Sequence, residues 1–151
     1  MIEKGQSMLE VLIAIFVMAM IIVGVVVMST KSVSNADFSK SSTVAGRYTQ
    51  EAIEWLRSER NNNISAFLAH TPGLDTEYNF CLNTLGWNEG VCLNEGDNIQ
   101  GTVFIRDLTI IKSLIPTTTK TVVTATVVVK WEDSKGTHEV KSITEFTDLR
   151  Q

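Results

Sequence analysis

Residues 11–28 read VLIAIFVMAMIIVGVVVM, eighteen consecutive residues without a charged or polar side chain. As an α-helix this run is about 27 Å long, close to the thickness of the hydrocarbon core of a bilayer. A secretory signal peptide would have a shorter apolar region and a small-residue cleavage site, which residues 28–31 do not supply. A buried core helix would need the rest of this short chain to cover a surface that is apolar on every side. A helix that anchors the chain in a membrane fits the hydropathy best.

A carboxylate stands at the head of the apolar run. Glu10 lies between Leu9 and Val11, and the next charged residue along the chain is Lys31. A charge at the edge of an apolar span is costly, so it indicates a function unless its side chain simply reaches water at the membrane interface. Glu10 alone does not decide between these two interpretations.

The residues before the run form a motif together with Glu10. The motif is Gly5-Gln6-Ser7-Met8-Leu9-Glu10, followed at once by Val11-Leu12-Ile13-Ala14-Ile15, and it resembles the class III signal sequence of type IV prepilins and pseudopilins. In that family a short hydrophilic leader ends in Gly and a prepilin peptidase cuts after this Gly. The new N-terminus is usually methylated, and a Glu follows four residues later.

This resemblance covers about the first 28 residues and departs from the family pattern in two places. Gln6 stands where the family usually has Phe or Met, and Ser7 and Met8 replace the usual small Thr. The cleavage Gly, the acid and the uninterrupted apolar run nevertheless occur together at the family's spacing.

The resemblance implies a role for each part of the motif. Residues 1–5 would be the leader, Gly5 and Gln6 would flank the cleaved bond, and Glu10 would serve assembly. Cleavage before the apolar run leaves that run in the mature chain and frees an amine at Gln6, which Glu10 of a neighbouring subunit can meet. An unpaired charge buried among apolar side chains costs several kcal/mol, so this pair would set the register of neighbouring helices.

The same resemblance implies partners and a location. The partners are other pilin subunits contacted through the N-terminal helix, the prepilin peptidase, the assembly platform of a pilus or secretion system, and the membrane. Lys4 and the leader are expected in the cytoplasm, and the chain after about Ser29 outside the inner membrane, as a single-pass protein that then enters an extracellular or periplasmic filament. The strand Val127-Val128-Val129-Lys130-Trp131 before a hairpin resembles minor pilins and pseudopilins in particular and favours a minor pilin-like protein. The choices between a pilus and a secretion or DNA-uptake pseudopilus, and between major and minor pilin, stay open. The alternative is a membrane-anchored exported binding domain that does not polymerise.

Helical spacing continues well beyond the apolar run, since no Pro occurs before Pro72. We expect one helix over residues 6–60, with residues 11–28 in the membrane and Asn61-Asn62-Asn63 as its stop. Ser and Thr are frequent in residues 29–43, and their side chains compete for backbone hydrogen bonds, so whether this segment bends or melts in a filament stays open. The second half of the helix has an apolar face, formed by Ala45, Tyr48, Ala52, Trp55 and Leu56.

Residues 61–151 are expected to form a C-terminal globular domain. Residues 64–100 are a variable loop region in which residues 64–69 indicate a short helix. Three strand-like runs follow, residues 102–111, 121–131 and 137–146, with residues 132–136 as a hairpin turn. The fold class is therefore α+β, a long N-terminal helix packed on a small antiparallel β-meander within residues 102–147, which resembles the pilin fold.

The two cysteines of the chain are Cys81 and Cys92. Two free thiols would fit a reducing compartment, whereas an intrachain disulfide fits the export that the resemblance implies. We expect the disulfide, which would stabilise the loop between these residues by about 3 kcal/mol on the chain-entropy account.

We expect no enzyme, no cofactor and no metal site. His70 and His138 have no sequence partner for a catalytic triad and are expected to be exposed. The net charge of −4 and the lack of a Lys/Arg cluster argue against nucleic-acid binding. Two groups of side chains between residues 75 and 98 could supply oxygen ligands to calcium, as a loop of some pseudopilins does. Neither group matches an EF-hand loop, so we interpret them as solvated acids. The groups are Asp75, Glu77 and Asn79, and Asn94, Glu95, Asp97 and Asn98.

Overall fold

The computed structural model describes residues 3–92, 96–115 and 120–147, except for the side chains of residues 3–7. The chain divides into two compact units, residues 1–41 and residues 42–151. Helix α1 runs Glu3–Asn62, so it begins three residues before the expected start and ends two residues after the expected end. The Ser- and Thr-rich residues 29–43 are helical throughout.

Asn63 separates α1 from a second, short helix. Its backbone is extended, with φ −154° and ψ 93°, and its side chain accepts a hydrogen bond from the backbone N–H of Ala66 at 3.0 Å. An Asn in this N-cap position satisfies one of the free N–H groups at the start of the next helix. Helix α2 is Ile64–Ala69, as expected, and its buried residue is Phe67.

The rest of the second unit is a single antiparallel sheet. Its strands are β1 Glu77–Cys81, β2 Asn88–Glu89, β3 Ile105–Leu114, β4 Thr121–Asp133 and β5 Gly136–Thr147. Their spatial order is β2-β1-β3-β4-β5, with every neighbouring pair antiparallel. The α+β class and the long N-terminal helix are confirmed, and the sheet has two strands more than the three expected runs.

The extra strands correct the expectation that residues 64–100 are loop. Strand β1 is short, and its main partner β3 lies far away in the sequence, so no local pattern indicates their pairing. Phe80 lies opposite Leu108 of β3 and Glu89 of β2. Strand β3 also starts three residues later than expected. Gly101 at φ 76° turns the chain, and the Thr102 hydroxyl donates to the carbonyl of Ile99 at 2.7 Å, so the residues before Ile105 are not extended.

The hairpin between β4 and β5 is tighter than expected. Strand β4 continues to Asp133, which lies opposite Gly136, so the turn itself contains Ser134 and Lys135 rather than residues 132–136. Gly136 has φ 120°, a conformation that side chains of L-residues rarely adopt. The backbone N–H of Lys135 donates to the Asp133 carboxylate at 2.7 Å, which closes the turn.

The core of the second unit lies between one face of the sheet and the end of α1. Alternate residues of β4 point into it, and the most enclosed helix residues are Ala45, Ala52 and Leu56, each 0% exposed. Full burial of a Leu side chain such as Leu56 contributes about 1.5–3 kcal/mol, and burial of an Ala methyl group contributes less. The buried β4 residues are those expected from the period-two pattern: Val123, Ala125, Val127, Val129 and Trp131.

Candidate functional site

The first unit carries a long apolar surface. Every large hydrophobic side chain between residues 8 and 28 is 48% to 77% exposed. Among the described residues α1 is the one helix that is long and apolar enough to cross a membrane, judged by length and composition. An exposed apolar surface of this extent indicates contact with lipid or with other protein, because water solvates it poorly.

Glu10 places a single charge at the head of this surface. It is exposed, as are its neighbours Leu9 at 62% and Val11 at 55%. Anything apolar that packs against this end of α1 would therefore surround the carboxylate with hydrocarbon. A carboxylate in such surroundings requires a cationic partner to offset the loss of its hydration.

The bond expected to be cleaved lies in the first turns of α1. Gly5 and Gln6 are helical, and the Gln6 side chain is outside the described part of the structure. Gly weakens a helix by about 1 kcal/mol relative to Ala, and helix ends open more readily than their centres. An α-amine created at Gln6 would lie four residues before Glu10, about 6 Å away along the helix axis.

The polar segment after the apolar run stays helical by accommodating its hydroxyl groups locally. The Thr30 hydroxyl donates to the carbonyl of Val26, one turn earlier, at 2.9 Å. Such back-bonding satisfies the hydroxyl but weakens and bends helices slightly.

The disulfide joins the end of β1 to the loop that precedes β3. Cys81 and Cys92 are bonded, with their Cα atoms 4.9 Å apart and a sequence separation of 11, so the expected pairing is confirmed. The same loop is held by Asp107, whose carboxylate accepts from the Cys92 N–H at 2.9 Å and pairs with Lys130 at 3.1 Å. The covalent link contributes about 3 kcal/mol by restricting the unfolded chain.

Both histidines are half-buried, which corrects the expectation that they are exposed. The His70 ring stacks on Trp87 with centroids 3.9 Å apart, because the end of α2 lies over the aromatic side chains next to β1. His138 lies in β5, where its Nε2 is 2.9 Å from the Asp133 carboxylate. These contacts account for both side chains as parts of the packing.

The His138 contact and the turn of the hairpin both act on the Asp133 carboxylate. Hydrogen bonds from the Lys135 N–H and from His138 hold the pKa of Asp133 below its ordinary value of 3.8. A carboxyl with a lowered folded-state pKa stabilises the fold above its unfolded pKa and loses this effect as pH falls through the folded value.

We therefore expect Asp133→Ala to lower the melting temperature at about pH 5, with a smaller difference from wild type at about pH 2.5. Thermal unfolding of the full chain in detergent, followed by tryptophan fluorescence, measures both differences. Glu132→Ala, at the exposed neighbouring position, is the matched control. A difference for Asp133→Ala that stays constant down to pH 2.5 would contradict this role.

Within residues 3–92, 96–115 and 120–147, no group of three or more His, Cys, Asp or Glu side chains is placed to hold a metal ion. Of the two candidate calcium groups, Asn94 and Glu95 lie outside the described residues. In the other group, the Asn79 side chain accepts a hydrogen bond from the Thr109 hydroxyl at 2.7 Å.

Sequence reasoning did not single out Arg106, which is 2% exposed. Its Nε donates to the carbonyl of Leu82 at 3.0 Å, and one terminal nitrogen donates to the carbonyl of Tyr48 at 3.0 Å and to the Glu51 carboxylate at 2.8 Å. The guanidinium thereby joins α1, β3 and the chain after β1. One feature of the sequence could have indicated a buried polar contact here: the charged residues Arg106 and Asp107 lie between the apolar residues Ile105 and Leu108.

Comparison with protein-family models, curated proteins and solved structures yields no match to this chain.

Proposed function

We propose that the chain is a structural subunit of a type IV pilus or a related pseudopilus. A prepilin peptidase cuts it after Gly5, and it assembles through its apolar N-terminal helix. The observation that carries the proposal is the exposed apolar surface of α1 with Glu10 at its head, directly after a short leader that ends in Gly5. The surface supports insertion into a membrane and later packing against other helices.

Glu10 distinguishes this function from that of a simple anchor. A helix that only holds a domain at a membrane gains nothing from a carboxylate at the edge of its apolar run. A filament subunit gains a partner for it, the amine that appears at Gln6 after cleavage. The membrane-anchored binding domain that never polymerises explains the hydropathy equally well and leaves Glu10 unexplained.

The second unit fits a location outside the cytoplasm. Its disulfide between Cys81 and Cys92 is the kind of bond that persists in oxidising compartments. The proposed topology places the leader with Lys4 in the cytoplasm, residues 11–28 in the inner membrane and the second unit outside, before the subunit enters a filament.

Processing at Gly5 tests the proposal. In the native host the wild-type chain is expected to lose residues 1–5 and begin at Gln6, and Gly5→Leu is expected to keep the leader, because a bulky side chain obstructs a cleft that accepts Gly. Intact-mass measurement of the purified chains distinguishes the two forms. Gly24→Leu is the matched control, since nothing lies within 4 Å of a Cβ atom added there, and it should be processed like wild type. A wild-type chain that keeps its leader beside an active prepilin peptidase would contradict the proposal.

A further inference from the structure

A groove runs along the edge of strand β1, beside the end of α2. Its volume is about 460 Å³, within the range of about 300–1,000 Å³ that ligand pockets have. Phe80, which is 3% exposed, and the half-buried ring of His70 form its apolar part. Glu77 and Glu89 add two carboxylates to the lining. The size and mixed lining of this β1 groove suit a ligand that is partly apolar and partly charged.

The backbone groups of β1 point to alternate sides of the strand. The N–H of Leu82, directly after β1, donates to the carbonyl of Arg106 at 2.9 Å, whereas the carbonyl of Asn79 accepts from the N–H of Gly90 at 2.8 Å. Even-numbered residues of β1 therefore bond to β3, and odd-numbered ones face the side of β2. Glu77 lies two residues before Asn79, so its N–H and C=O groups face the side of β2, where the β1 groove lies.

The chain after β2 does not continue along this side of β1. Strand β2 places Glu89 opposite Phe80, and continued pairing would bring Cys92 opposite Glu77. Cys92 is instead bonded to Cys81, at the other end of β1. The described residues place no strand beside Glu77 on this side, so its two backbone groups form a short free strand edge.

The two carboxylates lie on opposite faces of this edge. Glu89 lies opposite Phe80 and shares its face, whereas Glu77, an odd-numbered residue of β1, points to the other face. Both are exposed, and within the described part of the chain neither pairs with a cation. Lys112, which contacts the groove wall, donates to the carbonyl of Pro72 at 3.3 Å. A strand in the groove would therefore meet a carboxylate on each face.

We propose that the β1 groove binds an extended peptide segment of another protein, as a short strand added in line with β2, with a lysine or arginine opposite Glu77. In this mode backbone hydrogen bonds hold the peptide, and alternate side chains determine which sequence binds. The basic side chain lies on the face of the Glu77 carboxylate, and the residues before and after it pack apolar side chains on the face of His70 and Phe80. The inference concerns the second unit alone, goes beyond filament assembly and stands whether or not the chain polymerises.

The fluorescein-labelled peptide TVKVT tests this recognition, because its Lys lies between two apolar residues. Fluorescence anisotropy follows its titration with the full-length chain in detergent at about pH 7.5, where most histidine side chains are neutral. TVKVT should bind saturably, and TVQVT should bind at least about threefold more weakly. Glu77→Gln combined with Glu89→Gln should weaken binding of TVKVT to a similar extent. Glu145→Gln, which removes an exposed carboxylate from β5, should leave it unchanged. No saturable binding, or equal binding by wild type and the double variant, would overturn the proposal.

N-methylation of the peptide distinguishes an added strand from simple attraction between charges. A methyl group on the Lys amide of TVKVT removes the N–H that donates to the carbonyl of Glu77 and should weaken binding at least about tenfold. The same group on the amide of the following Val, whose N–H faces away from β1, should weaken binding less. Equal effects of the two methyl groups would show that charge alone holds the peptide and would overturn the added strand.

Discussion

Arg106→Ala is expected to lower the free energy of unfolding by about 3 kcal/mol, because it removes buried hydrogen bonds from a charged donor, each worth about 1.5–3 kcal/mol, and leaves a cavity. The Arg106 side chain is 2% exposed, and its removal leaves the carbonyl of Leu82 without this donor, together with a cavity beside the Tyr48 ring. Glu51, by contrast, is 51% exposed, and its carboxylate can return to water. The loss therefore comes mainly from the guanidinium and much less from the ion pair.

Two further variants separate hydrogen bonding from packing. Arg106→Met keeps most of the side-chain volume but donates no hydrogen bond, so it should recover less than half of the loss. Glu51→Gln should cost less than Arg106→Ala, because Gln keeps an oxygen that accepts from the guanidinium, and only the charge opposite the buried Arg106 is lost. Denaturant unfolding of the full chain in detergent reports on the second unit, since Trp55, Trp87 and Trp131 all lie in it. Arg57→Ala, an exposed position on α1, is the control. Full recovery with Met would contradict the role of the hydrogen bonds.

The proposed function predicts that Glu10→Gln reduces incorporation of the chain into filaments at least about tenfold. Gln is close to Glu in size and removes the charge, so the amine at Gln6 of a neighbouring subunit loses its partner among apolar helices. A penalty of 1.4 kcal/mol per subunit is enough for a tenfold loss, and an unpaired charge in apolar surroundings costs more than this. Membrane insertion, the fold of the second unit and the Cys81–Cys92 bond should be unchanged.

The control for this variant is Glu54→Gln. It removes a carboxylate from the same helix, but the Glu54 side chain is 68% exposed and pairs with Arg57 on the surface. The amount of each chain in the sheared filament fraction, divided by its amount in the membrane, gives the incorporation ratio. Equal ratios for Glu10→Gln and wild type would favour the anchored domain that does not polymerise.

The parts of the fold that follow from local pattern could be read from the sequence. The apolar run, the buried face at Ala45, Ala52 and Leu56, and the alternation along β4 each repeat with the period of one helix or strand. The Asn63 side chain caps the start of α2, so this boundary too is visible locally. The pairing of Cys81 with Cys92 needed one further premise, an oxidising compartment, because the spacing alone permits free thiols.

The parts that depend on distant partners could not be read in this way. Strand β1 is defined by its pairing with β3, whose residues lie about thirty positions later in the chain. The stacking of His70 on Trp87 joins α2 to the residue before β2, and no period connects them. Arg106 is tolerated in a buried strand only because Tyr48, Glu51 and Leu82 converge on it. The role proposed for Glu10 differs from these, because it was inferred from a local motif. Its proposed partner is the amine of a second copy of the chain.

The measurement that tests the filament function most directly is the identity of the chain in polymers from the native host. Filaments are sheared from the cell surface, or collected from the periplasm, and separated from membranes by sedimentation. The intact mass of each chain in that fraction is then determined. The proposed function predicts that this chain is present there, begins at Gln6 and carries the Cys81–Cys92 bond. A chain found only in the membrane fraction, with Met1 to Gly5 still attached, would contradict it.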